Sequence, residues 1–192
     1  MSHPTYQYEP QRMLTPEQQI IQWLEQDDYR YQALIIAEQL QLPQWMLAAG
    51  FVRNLVWDKL HGYSPTPLND IDLIYFDPSN LTAEQDERYQ AKLMAIAPDY
   101  AWSVKNQARM HLKNQHAAYQ SSYDAMRYWP EKETAVAVNI NGCGLKLLAP
   151  FGCERLFQLT LSHNNRAAAA IFEQRISSKK WLTRYPQLYI TA

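Results

Sequence analysis

Two stretches decide the fold, Leu47-Ala48-Ala49-Gly50-Phe51-Val52-Arg53-Asn54 and Asn69-Asp70-Ile71-Asp72-Leu73-Ile74. In the first, an apolar run from Trp45 to Ala48 ends at Ala49-Gly50, after which Phe51, Leu55, Val56 and Leu60 recur at helical spacing until Gly62. The pattern predicts strand, glycine turn and helix, and such a helix start offers backbone N–H groups and a positive dipole end to a phosphate. The second stretch opens a β-rich run, Ile71 to Phe76, bounded by Asp77-Pro78. Side chains two apart on a strand share a face, so Asp70 and Asp72 present paired carboxylates while Ile71, Leu73 and Tyr75 point the other way. Like charges that close repel unless a divalent cation bridges them, and hard oxygen ligands suit Mg²⁺, or Mn²⁺ in its place.

Upstream, Thr15-Pro16-Glu17 reads as a helix start with Ile20, Ile21, Trp23 and Leu24 as its apolar stripe. A second helix is expected from Asp28 to about Leu40, before Pro43. Residues 1–14 show no periodicity and read as a loose arm, and His61 to Asn69, with Gly62, Pro65 and Pro67, reads as a loop. Downstream, helices are expected over Thr82 to Ile96, Asn106 to about Lys113, Asp124 to Trp129, Cys153 to Leu161 and Arg166 to about Arg184. A third strand is expected over Ala101 to Lys105. Ala135 to Ile140 and Leu145 to Leu148, joined by Asn141-Gly142-Cys143-Gly144, read as an antiparallel hairpin. The order predicts one α/β (α+β) domain over 1–192, a mixed sheet of about five strands flanked by helices, with helical additions at both ends.

The 192 residues are 47% hydrophobic and 12% aromatic, enough to offset chain entropy, so a disordered chain is excluded. A domain of this length buries roughly 70% of the surface its unfolded chain exposes. Apolar runs such as Trp45 to Val52 fall far short of the roughly 20 residues of a bilayer span, so no membrane partner is expected. Lys and Arg number 18 against 19 Asp and Glu, which argues against an extended nucleic-acid surface. Two cysteines, Cys143 and Cys153, and an amino terminus lacking a basic stretch followed by an apolar run predict a cytoplasmic protein with free thiols.

A second informative stretch, Val104-Lys105-Asn106-Gln107-Ala108-Arg109-Met110-His111, leaves the third strand and enters a helix. Lys105, Asn106, Arg109 and His111 place phosphate-binding and proton-transferring groups near the end of a strand expected beside the Asp70 and Asp72 strand, or else Asn106 caps the helix and Arg109 lies on a solvated face. Ser103 stands where a third acid would complete a metal cluster, and Asp99 and Glu133, near other strand ends, are candidates to replace it. Glu131 and Glu133 read either as metal-reaching acids or as a solvated strand edge. His61 lies in the loop before the aspartates, His3, His116 and His163 read as surface residues, and Ala167 to Phe172 reads as a plain helix former.

From Leu47 to Phe76, the strand, glycine turn and helix followed by a strand opening Asp-Ile-Asp resemble the nucleotidyltransferase superfamily typified by DNA polymerase beta. With Val104 to His111, Trp129-Pro130-Glu131, Thr134-Ala135, Ala149-Pro150-Phe151-Gly152, Lys180-Trp181 and Tyr185-Pro186, the chain from Trp23 onward is similar to a bacterial family of nucleotidyltransferase-like proteins. It departs from the superfamily pattern at Phe51, where Ser or Gly usually follows the glycine, in the lengthened gap His61 to Asn69, and at Ser103. The resemblance implies a metal-dependent transfer of a nucleoside monophosphate from a nucleoside triphosphate to an unknown acceptor, with release of pyrophosphate. Asp70 and Asp72 would be the catalytic, Mg²⁺-binding pair, and Gly50, Arg53, Asn54, Lys105, Asn106, Arg109 and His111 the nucleotide-binding set. The alternative left open is a non-catalytic nucleotide- or protein-binding module on the same fold.

Overall fold

The computed structural model describes residues 13–191, so nearly all of the expected arm lies outside the described residues. Helices α1 (Pro16–Glu25) and α2 (Asp28–Glu38) come first. Strand β1 (Met46–Ala48) then leads into α3 (Gly50–His61), β2 (Ile71–Tyr75) into α4 (Ala83–Ile96), and β3 (Trp102–Asn106) into α5 (Gln107–Asn114). Helix α6 (Ser122–Met126) and a 3-10 turn (Lys132–Thr134) precede the hairpin of β4 (Ala137–Asn141) and β5 (Gly144–Leu148). The chain closes with α7 (Glu154–Phe157), β6 (Thr160–Ser162), α8 (Ala169–Lys179), α9 (Trp181–Arg184) and β7 (Tyr189–Thr191).

The main sheet has five strands in the order β3-β2-β1-β4-β5, the number expected from the sequence. Strands β2 and β3 are parallel and the other neighbours antiparallel, while β6 and β7 form a separate parallel pair. Local chemistry starts the first helices as expected. The Thr15 hydroxyl accepts the Gln18 N–H while the Gln18 side chain accepts the Thr15 N–H. Asp27 caps α2, and the buried Arg30 donates to the Phe51 carbonyl at 2.8 Å, tying α2 to α3.

The two faces of the sheet differ. Leu47, Ile71, Leu73, Trp102, Val104 and Val138 pack with Ile20, Leu34, Val52, Leu55 and Leu93 of the helices in the main core. Each such side chain contributes about 1.5–3 kcal/mol when fully buried. The opposite face carries Met46, Ala48, Ile74 and Ala137, which meet only a small cluster around Met126 and Trp129. Asp72 and Ser103, which share a register position, and Lys105, opposite Ile74, lie on that second face. It is the face on which a site can open.

Three sequence expectations are corrected. The helix expected from Cys153 to Leu161 stops at Phe157; Leu159 turns with φ 56° and Thr160–Ser162 becomes β6. The buried Glu133 carboxylate accepts from the Thr160 hydroxyl, the Ser162 N–H and the Ser162 hydroxyl, and these tertiary bonds override local helix preference. The helix expected from Arg166 to Arg184 begins only at Ala169 and breaks at Lys180, φ 51°, into α8 and α9. Strand β7, too short to show an alternation, was not expected.

Ala49 joins β1 to α3 at φ 57° and ψ −118°, a conformation glycine tolerates and alanine does not. Such strain costs about 1–3 kcal/mol. Ala49→Gly is therefore expected to stabilise the fold by about 1 kcal/mol after the larger chain entropy of glycine is deducted. Urea denaturation measures this, and a loss of stability would show that the turn is unstrained.

Candidate functional site

Antiparallel pairing sets Ala48 of β1 opposite Asp72 of β2, and parallel pairing sets Asp72 beside Ser103 of β3. The residue after Ala48 turns the chain out of the sheet, so the start of α3 lies next to Asp72. Its helical ladder begins with Val52 and Arg53 donating to the Ala49 carbonyl, which leaves the Gly50 and Phe51 N–H groups ahead of it, and no side chain caps this end. Asp70 is exposed just before β2, and Asp72 is half-buried. Burial, and next the Asp70 charge, raise the pKa of Asp72 above the usual carboxylate value; the Ser103 hydroxyl and the charges of Arg53 and Lys179 oppose the rise. Neither carboxylate belongs to an ion pair among the described residues.

Two unpaired carboxylates fit Mg²⁺, which takes one or two protein carboxylates and completes its shell with water and phosphate oxygens. Among the described residues no group of three His, Cys, Asp or Glu converges as a metal cluster. The candidate third acids are elsewhere: Asp99 is exposed in the turn before β3, and Glu133 is committed to β6.

Toward β1 and β4, cations gather. A Cβ placed on Gly50 would lie 3.4 Å from Asn54 Nδ2 and 3.5 Å from Arg53 Nη2, so both side chains overlie the helix start. Arg53 is 6% exposed. Its guanidinium donates to the Thr134 hydroxyl at 2.6 Å and to Asn54 Oδ1 at 3.0 Å, and lies 5.0 Å from the Trp57 ring and 4.7 Å from the Trp181 ring. Burial pushes the Arg53 pKa down to about 10, although Glu131 pulls it back up. Glu131, fully buried, pairs with Arg175 of α8 through Nε at 2.6 Å and Nη2 at 3.1 Å.

A cavity of about 330 Å³ opens over Asp72, bounded by Ala49, Thr134 and Arg175 and by Lys105, Gln107, Lys113, Tyr119 and Trp129. Of the nine site residues read from sequence, Asp72 and Lys105 line it directly; Asp70 does not, and Gly50, Arg53 and Asn54 adjoin the lining residues Ala49 and Thr134 without lining it themselves.

Asn106, Arg109 and His111 do not line it. The Asn106 side chain is buried, accepting from the Asp77 and Ala108 N–H groups and donating to the Asp77 and Asn80 carbonyls. Arg109 forms an ion pair with the buried Asp86, which also accepts from the Tyr75 hydroxyl at 2.7 Å and the Asn106 N–H at 3.0 Å. His111 pairs its Nδ1 with the Ala108 carbonyl and its ring edge with Tyr119. Glu131 and Glu133 are buried rather than a solvated edge, because Arg175 and the start of β6 satisfy them. His61 bridges the Trp57 carbonyl and the Gln187 N–H; His116 and His163 are half-buried against aromatic rings, and His3 lies outside the described residues.

Sequence reasoning missed Gln107, Lys113 and Arg175 as lining residues. Gln107 and Lys113 lay within or beside a stretch already singled out, whereas Arg175 had no local signal, being a cation on an unremarkable helix. The Asp86 network gives a direct test of the structural group. Asp86→Ala strands Arg109 and two donors, so it is expected to cost about 3 kcal/mol in chemical denaturation; a change below about 0.5 kcal/mol would show that the network holds nothing together.

A mixed five-stranded sheet with a glycine-led helix start beside Asp72 of β2 is the architecture that the nucleotidyltransferase resemblance implies. A family model described as Nucleotidyltransferase matches residues 35–190, and the chain belongs to that family. A solved chain described as a CCA-adding enzyme head domain is 32% identical, with a TM-score of 0.81 over 91% of this chain and 95% of its own. A CCA-adding enzyme solved with CTP (15% identity, TM-score 0.51, 88% of this chain) and one solved with ATP (14%, 0.55, 90%) share the fold. This chain spans 42% of each of those two enzymes. No curated protein matches the sequence.

Proposed function

We propose that the chain transfers a nucleoside monophosphate from a nucleoside triphosphate to an acceptor, releasing pyrophosphate, with Asp70 and Asp72 holding Mg²⁺. The observation that carries this reading is a half-buried Asp72, in no ion pair among the described residues, in register with Ala48, two residues before the glycine-led start of α3. The cation, when bound, neutralises the triphosphate and stabilises charge on the attacking and leaving oxygens. The Gly50 N–H group and the dipole of α3 receive the phosphates next to Asp72. Arg53 adds a charge whose direction is fixed by Thr134, Asn54 and the two indole rings. Lys105, on the same sheet face as Asp72, adds positive charge from the β3 side. CTP and ATP, bound by enzymes that share this fold, are the first donors to try.

Ser103 in place of a third acid favours a second reading, a module that binds nucleotide without turnover. Calorimetric titration of ATP and CTP with and without Mg²⁺, followed by pyrophosphate release over an acceptor panel, separates the two. Asp70→Asn and Asp72→Asn are expected to remove the Mg²⁺ dependence of binding and to lower turnover about a thousandfold. Unchanged turnover in both variants would overturn the assignment, and Mg²⁺-dependent binding without turnover on any acceptor would establish the module.

A further inference from the structure

The cationic side of the cavity contains more positive charge than the fold itself uses. Arg53 and Arg175 both lie within cation–π reach of the Trp181 ring, at 4.7 Å and 5.6 Å. Glu131 is the carboxylate between them: it bonds Arg175 directly and acts on Arg53 only at a distance. Of the two guanidiniums only that of Arg175 is bonded to a carboxylate; Arg53 feels Glu131 and Asp72 at a distance, and the cavity between Asp72 and Arg175 leaves room for an anion to complete the set.

Arg175 is placed to meet that anion. Its side chain is 31% exposed while Glu131 is fully buried, and it lines the same cavity as Asp72, Ala49 and Thr134. The bidentate pair uses Nε and Nη2, so Nη1 takes no part in it. Glu131 thus fixes the plane of the guanidinium from behind, a preorganised fork of the kind that recognises phosphate. Sheet order supplies the direction. Arg175, Thr134 and the α3 start lie on the β1 and β4 side of Asp72, and Lys105 and α5 on the β3 side.

We infer that Arg175 is a second triphosphate-binding arginine, presented by Glu131 to the β- and γ-phosphates of a nucleotide whose α-phosphate lies at Asp72. The inference rests on the proposed nucleotidyl-transfer reading and adds a substrate criterion: the site selects triphosphates over monophosphates through a residue of α8. The competing role for Arg175 is a strut that merely neutralises Glu131 and docks α8.

Titration of ATP, AMP and inorganic tripolyphosphate in Mg²⁺ distinguishes them, using the intact chain, Arg175→Gln, Arg175→Lys and the double variant Glu131→Gln with Arg175→Gln. Arg175→Gln is expected to weaken ATP and tripolyphosphate roughly 10- to 100-fold and AMP less than about threefold, with Arg175→Lys between. The double variant removes the stranded Glu131 charge, so it is expected to regain thermal stability while its ATP affinity stays low. Any of three results overturns the inference: folded Arg175→Gln binds ATP as the natural chain does, ATP and AMP weaken equally, or the double variant regains ATP affinity. Failure of the unsubstituted chain to bind any of the three ligands would overturn the nucleotidyl-transfer reading as well, whereas the other results leave that reading standing.

Discussion

The site depends on the register of a three-residue strand. Leu47 of β1 faces Leu73 on one side and Val138 on the other, and Ala48 faces Asp72 and Ala137. A slip of one residue would turn Leu73 to the open face and Asp72 into the core. It would forfeit about 2 kcal/mol of leucine burial and strand a carboxylate among apolar side chains, at a further several kcal/mol. The main core therefore aims Asp72 at the cavity, although no residue of that core lines it. The same register fixes where β1 ends, and so forces Ala49 to turn into α3 beside the carboxylate it serves.

Charges buried by the fold sort into two groups according to their partners. Asp58 accepts from Thr66 and the Tyr185 hydroxyl, Asp86 serves Tyr75, Asn106 and Arg109, Glu133 holds β6, and Glu131 holds Arg175. Each of these acids has hydrogen-bond donors that meet the cost of its burial, and each acts as a joint between elements. Among the described residues Asp72 has no ion-pair partner, and it stands two residues from the like charge of Asp70, so it is not a joint of this kind. Arg53 is its counterpart of opposite sign, buried without a carboxylate bonded to it. Unbalanced groups of both signs on either side of one cavity suit a ligand that carries both a cation and phosphates.

What was legible in the sequence follows from which interactions are local. The alternation of Ile71 to Tyr75, the Ala49-Gly50 break and the Asn141 to Gly144 turn are set by neighbours in the chain, so strands β1, β2, β4 and β5 and the direction of Asp72 were readable from it. The polar run from Lys105 to His111 reads as one group in the sequence, yet its members split. Lys105 shares the face of Ile74, while Asn106 pairs in register with Tyr75 and turns with it to the α4 side, where Asp86 waits. Strand β6 depends on Glu133, 27 to 29 residues earlier in the chain, and no periodicity of three residues can announce it. Arg175 reaches the cavity only because α8 folds back on the 3-10 turn region through Glu131, a contact between segments with no local pattern in common.

The near-zero net charge of the chain acquires a structural meaning in this arrangement. A protein that drew its nucleotide in by a broad basic field would lose affinity steeply with salt. Two of the cations near the cavity are held by the fold rather than left free: Arg53 lies buried under two indole rings, and Arg175 is braced by a buried acid. Desolvated charges of this kind are screened little by salt and keep their geometry without the ligand. The segment that supplies Arg175 is itself secured by a separate apolar cluster of Trp57, Leu161, Trp181, Tyr185 and Leu188, with His61 joining the Trp57 carbonyl to the Gln187 N–H. Trp57 of α3 thus packs against both Arg53 and the C-terminal cluster. The helix that begins at Gly50 also anchors the far wall of the cavity, so Arg53 and the segment carrying Arg175 are positioned by one element.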